Sequence, residues 1–500
     1  MDNGIGDVAV MREVMANLGF MLQIAGILMI APIIVGSVLN ETSMLIAVFI
    51  TCVSFLICGF ILNSMCEKRI LDVASSCILI VAAFVIMPLI GAAPYFYLDP
   101  FSSPDIVSRL TNSIFESVSG FTTTGFSLIT SGVPLPRSFV LYRSMTEMMG
   151  GVGLVFMLLT FFQTKKTTKL FGSALGIDDV CGDIRRTFFS ILGIYSIYVA
   201  LVAIIFALQG FDVVTAVSFS IDVLTGGFQP EQPVGQFSLI VKSAIIVLLF
   251  LGSVNFGFNY RLFTRKYREA FDGEVKAYIG VLIVGALAIG LLTGAGAFDS
   301  VFHALSMSAS AGFDYLNIGL LGDPAKTAML ILVLIGGCSF SMAGGIRIFR
   351  LMDAYQAIRK TINIYRRRSF DLKWDHAPDQ RKLFESLVSI VMFVAILVII
   401  STLAQLAGLP YLESYFEIGS ALTTNGVTTG ATGPTSSISQ KWLMIAAMTI
   451  GRVEIITILI ALASANAIRT RLEGLRHMIL VTADYMRRHA KKEENWTEAP

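Results

Sequence analysis

Long apolar runs alternate with half-length amphipathic stretches along most of this chain. The runs long enough for a membrane span, which takes about 20 mostly apolar residues, are Leu18–Leu39, Met44–Leu62, Val73–Ile90, Phe139–Phe162, Phe188–Leu208, Leu239–Phe258, Ala277–Phe298, Ala328–Ile346, Leu387–Leu406 and Trp442–Ala467. The first two form a plain hairpin. The others pair up, and each pair encloses a short amphipathic segment followed by a glycine-containing loop. A helix of about 12 residues covers roughly 18 Å, too short to cross and suited to re-entering from one side. Non-helical backbone at membrane depth survives only where protein buries it or where it lines a wet cavity. The pattern therefore predicts an all-α polytopic membrane protein, an N-terminal helix hairpin plus four helix–pore-loop–helix repeats around one pseudo-fourfold pore. The expected divisions are 1–71 for the hairpin, 72–163, 164–262, 263–350 and 351–468 for the repeats, and 469–500 for a cytoplasmic tail.

Composition agrees with that setting. Of 500 residues 55% are hydrophobic and 14% charged, against about 25% charged in soluble domains. The net charge of +2 gives no case for a nucleic-acid partner. Cys52, Cys58, Cys66, Cys77, Cys181 and Cys338 show no paired short spacing, and most lie in apolar runs. They read as free thiols. The N-terminus carries no basic n-region or small-residue cleavage site, so no cleaved signal peptide is expected. Basic residues concentrate in alternate loops, with Lys165, Lys166 and Lys169, then Arg265, Lys266 and Arg268, then Arg366, Arg367 and Arg368. The pore-loop side keeps Arg109, Arg137, Arg143, Lys242, Lys326 and Lys441. The positive-inside rule then puts both termini in the cytoplasm of a plasma (cell inner) membrane and opens the pore loops outward.

The loops can be aligned on Gly125, Gly227, Gly312 and Gly426. Two positions upstream stand Thr123, Thr225, Ser310 and Thr424, a hydroxyl every time. Ten upstream stand Phe115, Val217, Phe302 and Phe416; six upstream stand Ser119, Ile221, Ser306 and Ser420. The second repeat diverges most. Carbonyls line up inward only where backbone takes left-handed or extended dihedrals, which glycine permits at little steric cost. Rings of backbone carbonyls replace the hydration shell of K⁺. The competing reading is that the glycines allow close helix packing; four aligned loops favour a cation pore.

Ser119–Gly125, Leu224–Phe228 and Ser420–Gly426 resemble the filter segments of TrkH/KtrB-type potassium transport subunits of the Trk/Ktr/HKT superfamily, and Ser310–Phe313 fits more loosely. The resemblance extends over nearly the whole chain. It implies a selectivity filter at Thr122, Thr123, Thr124 and Gly125; Leu224, Thr225, Gly226 and Gly227; Ala309, Ser310, Ala311 and Gly312; and Thr423, Thr424, Asn425 and Gly426. Glycine at all four aligned positions implies K⁺ as the transported ion. It also implies a homodimer of pore chains in membrane lipid and a cytosolic ring of nucleotide-binding TrkA/KtrA-type subunits.

Behind the loops lie Met148–Gly153, Gly252–Phe256 and the run Gly336, Gly337, Cys338, Ser339, Phe340, Ser341, Met342, Ala343, Gly344, Gly345. The last would break a transmembrane helix mid-span. It reads either as a packed kink or, by resemblance, as an intramembrane gate beneath the filter. Arg452 sits in the final apolar run, where an arginine is costly and usually paired or turned toward water. The resemblance implies a pore-facing charge; the alternative is an ion pair with Glu454 or Glu147. His303, His376, His477 and His489 show no metal-ligand spacing, and His303 reads simply as a polar group on the third pore helix. No nucleotide-binding sequence and no catalytic constellation is evident, so neither a cofactor nor an enzyme is expected. The function implied is potassium uptake as the conducting subunit. A K⁺ symporter coupled to H⁺ or Na⁺ by alternating access is the alternative, since broken helices and repeats occur there too.

Overall fold

The computed structural model describes residues 2–64, 71–129, 134–161, 184–230, 232–367 and 377–464. The tail 469–500, the basic residues Lys165, Lys166, Lys169 and Arg368, and Cys66 and Cys181 lie outside them. Every regular element among the described residues is helical. Among the described residues six helices are long and apolar enough to cross a membrane, and two bent pairs would each make a further span.

The N-terminal hairpin packs Asp2–Leu28 and Ile30–Val38 against Thr42–Ser64. Its helices meet where Gly19 and Gly59 face each other, since a Cβ on either would run into the other's carbonyl. Small residues let membrane helices approach this closely. The break at Met29 falls three residues before Pro32, whose ring has no N–H to give and clashes with the carbonyl four residues back.

Each following unit places a short helix between two longer ones. The four short helices, hereafter the pore helices, are Ile106–Phe121, Val213–Thr225, Ala297–Ser308 and Tyr411–Leu422. Asp105 and Asp212 cap the first two by accepting backbone N–H groups of the opening turn. All four run from partly exposed starts to buried C-terminal ends. A helix C-terminus carries roughly half a negative charge, so four such ends aimed at one region favour a cation there.

The second helices depart from simple spans. In the second unit Leu239–Ser253 and Phe256–Phe263 meet at 113°, and in the fourth Ile438–Val453 and Ile455–Ser464 meet at 89°. In the third, the run expected over Ala328–Ile346 is helical only over Asp323–Ile335, and helix resumes at Ile348. Left-handed backbone at Gly336, Phe340, Gly345 and Arg347 explains the interruption. In the first unit helix continues unbroken through Met148–Gly153, within Arg137–Phe161.

Glu41 ties the hairpin to the first unit. Its carboxylate accepts the backbone N–H groups of Arg137 and Ser138, which open the helix Arg137–Phe161, and the Ser138 hydroxyl. It thus caps that helix from a distant part of the chain. Glu41→Ala should lower the detergent melting temperature, because losing an N-cap costs about 1 kcal/mol. Thermal unfolding followed by size-exclusion chromatography checks this, and an unchanged midpoint would show that the cap is dispensable.

Candidate functional site

The glycine loops close into a ring. A Cβ added at Gly125 would run into the backbone of Gly227, one at Gly226 into the Ser310 carbonyl, one at Gly312 into the Asn425 carbonyl, and one at Gly426 into the Thr124 carbonyl. First touches second, second touches third, third touches fourth, and fourth touches first. The sequence-predicted residues of all four loops are thus brought together by contacts between backbones.

Backbone dihedrals repeat in three of the loops. Thr123 and Gly125, Ser310 and Gly312, and Thr424 and Gly426 all have positive φ, between 51° and 80°. The residue between each pair does not. In these units the pore helix ends four residues before the aligned glycine, at Phe121, Ser308 and Leu422. The second loop is built differently. Its helix runs on to Thr225, and the positive φ falls at Gly226 (81°) rather than at Gly227. Gly227 is needed for space, because a Cβ there would overlap the carboxylate of Glu147.

The hydroxyls two positions before the glycines are all buried. Among the described residues, Thr123 Oγ1 and Thr424 Oγ1 have no hydrogen-bond partner. Thr225 Oγ1 donates to Ile221 O at 2.9 Å, which leaves its lone pairs free. Ser310 Oγ accepts the N–H of Gly344 at 2.9 Å. The Asn425 side chain turns back to donate to Met307 O at 2.6 Å, and Gln229 Nε2 donates to Gly312 O at 2.9 Å.

Buried anchors hold the chain just after each glycine. Glu116 accepts Leu128 N–H at 2.6 Å and Glu417 accepts Thr429 N–H at 2.7 Å, each three residues past its glycine. In the third unit His303 Nε2 accepts Tyr315 N–H at 3.3 Å, at the same two offsets. The second unit has Ser218 and Pro230 at those places, and proline has no N–H to hold. There Glu147 reaches across from the first unit to accept Phe228 N–H at 2.9 Å. Arg143 links the first two loops, pairing with Glu116 at 3.4 Å and lying 3.8 Å over the Phe228 ring. The Phe-Glu pair shared by the first and fourth repeats, Phe115-Glu116 and Phe416-Glu417, is visible in the sequence; the anchoring roles of Arg143, Glu147 and His303 are not. The signal was present as polar residues in otherwise apolar or pore-helix positions.

The interrupted segment Gly336–Gly345 lies directly behind the ring. Its ends are stitched together by Ile346 N–H to Leu334 O and Ile348 N–H to Gly337 O, both at 3.0 Å. Cys338 N–H binds Ser253 O, Met342 N–H binds Gly252 O, and Phe256 N–H binds Phe340 O. The loop is thereby seated in the break of the second unit. Glu274 accepts from Ser339 N at 2.6 Å and Ser339 Oγ at 2.7 Å. A Cβ at Gly344 would strike Thr423 O. The segment therefore touches backbone of the second, third and fourth units.

Arg452 is buried and donates to Gly150 O at 2.9 Å and to Met342 O at 3.5 Å. It joins the first unit to the interrupted segment. Among the described residues it forms no salt bridge with Glu454 or Glu147. Glu454 instead pairs with Arg347 at 2.9 Å and Arg350 at 3.0 Å, at the exit of the same segment.

Comparison with known proteins finds relatives of one kind. Residues 231–469 match the TrkH family model, described as a cation transport protein. An uncharacterized cation transporter of Methanocaldococcus jannaschii is 27% identical over 89% of this chain and 94% of its own length. The Trk system potassium uptake protein TrkH of Escherichia coli K12 is 24% identical over 79% of this chain and 86% of its own. The crystal structure of the potassium transporter TrkH from Vibrio parahaemolyticus superimposes with a TM-score of 0.78 at 22% identity, covering 90% of this chain and 98% of that one. Family model, curated relatives and fold agree with the resemblance carried by the glycine loops: this multi-pass membrane protein is similar to TrkH-type transporters and shares their fold.

Proposed function

We propose that the chain is the K⁺-conducting subunit of a Trk-type uptake system, with the four-loop ring as its selectivity filter. The observation that carries this reading is the closed backbone contact of Gly125, Gly226, Gly312 and Gly426 with their neighbours in turn. Alternating backbone handedness at Thr123–Gly125, Ser310–Gly312 and Thr424–Gly426 turns successive carbonyls toward one side. Such oxygens can stand in for water around a dehydrated K⁺. The unpartnered Thr123 and Thr424 hydroxyls add oxygens at the inner end. The potassium uptake activity of the TrkH relatives supports the choice of ion.

In this reading Gly336–Gly345 is the gate. Its hydrogen bonds to Ser310 and into the second-unit break hold it across the path below the filter. Arg452 clasps it through Met342 O and places a positive charge there, which raises the barrier to cations. The pore opens outward with both termini cytoplasmic, as the basic-residue pattern requires. The unit in the membrane is a homodimer regulated by nucleotide-binding TrkA/KtrA-type subunits, and the chain itself needs no cofactor. The symport alternative would have to work through Asp222, whose Oδ1 is buried without a hydrogen-bond partner among the described residues, since Glu116, Glu147 and Glu417 each hold a loop N–H.

Gly125→Ser should reduce K⁺ over Na⁺ discrimination, because a side chain would enter where the Gly227 backbone lies. Competition of Na⁺ with Rb⁺ uptake in a K⁺-uptake-deficient strain measures it. Unaltered discrimination in a correctly inserted mutant would remove Gly125 from the filter.

Arg452→Ala should raise ion flux into liposomes, since it deletes repulsion along the path, at a stability cost of about 1–3 kcal/mol for each carbonyl that water does not reach once its donor is gone. A buried arginine acting as one half of an ion pair would instead leave a stranded charge costing about 3–5 kcal/mol. A large fall in melting temperature with no gain in flux would contradict the gate assignment.

A further inference from the structure

We infer that His303 is the positioning residue of the third filter loop, doing with a neutral imidazole what carboxylates do in the first and fourth. The inference rests on the filter reading above. His303 stands nine residues before Gly312, as Glu116 stands before Gly125 and Glu417 before Gly426. All three accept the N–H of the residue three past their glycine, which is Tyr315, Leu128 and Thr429 respectively. The substitution is therefore positional and functional, although no carboxylate is present.

The imidazole can do this in one state only. Its Nδ1 lies 2.7 Å from Asp299 O. A carbonyl only accepts, so Nδ1 carries the hydrogen and Nε2 keeps the lone pair that receives Tyr315 N–H. Protonation at Nε2 would set donor against donor. A carboxylate anchor keeps acceptor oxygens to spare; His303 has a single lone pair and is fully buried.

The surroundings make Tyr315 the transmitting residue. Its hydroxyl donates to the Asp299 carboxylate at 2.5 Å, and its ring packs on His303 at 4.4 Å and on Phe302 at 5.0 Å. Lys242, from the second helix of unit two, lies 4.7 Å over the same ring. Asp299 and Lys242 are the charged groups that face His303. Of the other packed helices, Gly273–Thr293 contributes Tyr278, bonded to Ser308, and Asp323–Ile335 contributes Lys326, bonded to Glu413. Freeing Tyr315 N–H would loosen the chain immediately after Gly312, whose ring contact is the Asn425 carbonyl. The third loop should thus respond to acid through His303.

The test compares the purified full-length protein with His303→Leu, His303→Glu and Gly312→Ser in proteoliposomes, measuring Na⁺ competition with Rb⁺ flux and the melting temperature. Leu removes the acceptor, and discrimination should fall about fivefold or more from the loss of one buried hydrogen bond. Glu supplies the carboxylate used in the sister loops and should hold discrimination within about twofold of the parent. Acidification below about pH 6.5, the ordinary range of histidine, should cost the parent discrimination as Nε2 takes up a proton, while His303→Glu should lack that fall. A folded His303→Leu protein with parental discrimination, or the same acid-side loss in parent and His303→Glu, would overturn the inference. Gly312→Ser separates the two readings. If it alters discrimination while the His303 variants do not, only the anchor fails; if it too is silent, the filter reading fails with it.

Discussion

The constraint on which this structure depends is the distance between four backbones. At each contact around the ring a single methyl group would collide with a neighbouring carbonyl or peptide plane. Backbone brought this close must be supported from behind, beyond what the buried side chains of Phe126, Phe313 and Val427 supply. The support is polar and buried: Glu116, Glu147, His303 and Glu417 each hold an N–H just past the glycines. A buried donor left without a partner costs about 1–3 kcal/mol, so these anchors fix the loops while the apolar helices fix the anchors.

The same logic reaches below the ring. Three of the four second helices are broken, and the breaks engage one another. The interrupted segment of the third unit is seated in the break of the second through Ser253 O and Gly252 O. Its exit is held by Arg347 and Arg350 on Glu454, at the bend of the fourth. Glu454 has a left-handed φ of 66°, so the bend and the ion pairs occur at one residue. The three breaks are therefore joined to one another by hydrogen bonds and ion pairs.

Much of this was legible in the chain. Periodicity separated spans from pore helices, and the recurring hydroxyl–x–glycine placed four loops in register. The exceptions have physical causes. The second loop looked aligned on Gly227, but its helix runs longer and the left-handed residue is Gly226; Gly227 is small to admit Glu147 from another unit, a contact that spacing within one repeat cannot reveal. Pro230 explains why that unit needs a different anchor, and it could have been read as a missing donor. Arg452 was weighed against an ion pair with Glu454 or Glu147, yet it binds carbonyls, which carry no signature in sequence. His303 looked like a bland polar residue because the anchoring role was associated with no residue type until the carboxylates beside it were placed.

The central claim is that the four loops enclose a site for a dehydrated monovalent cation. Soaking crystals of the protein with Tl⁺ in place of K⁺ and mapping its anomalous scattering tests that most directly. The account predicts a peak on the axis inside the ring formed by Thr123–Gly125, Thr225–Gly227, Ser310–Gly312 and Thr424–Gly426, abolished by excess K⁺ and not by equal Na⁺. An ordered ring with no peak inside it, or a peak displaced equally by Na⁺, would contradict it.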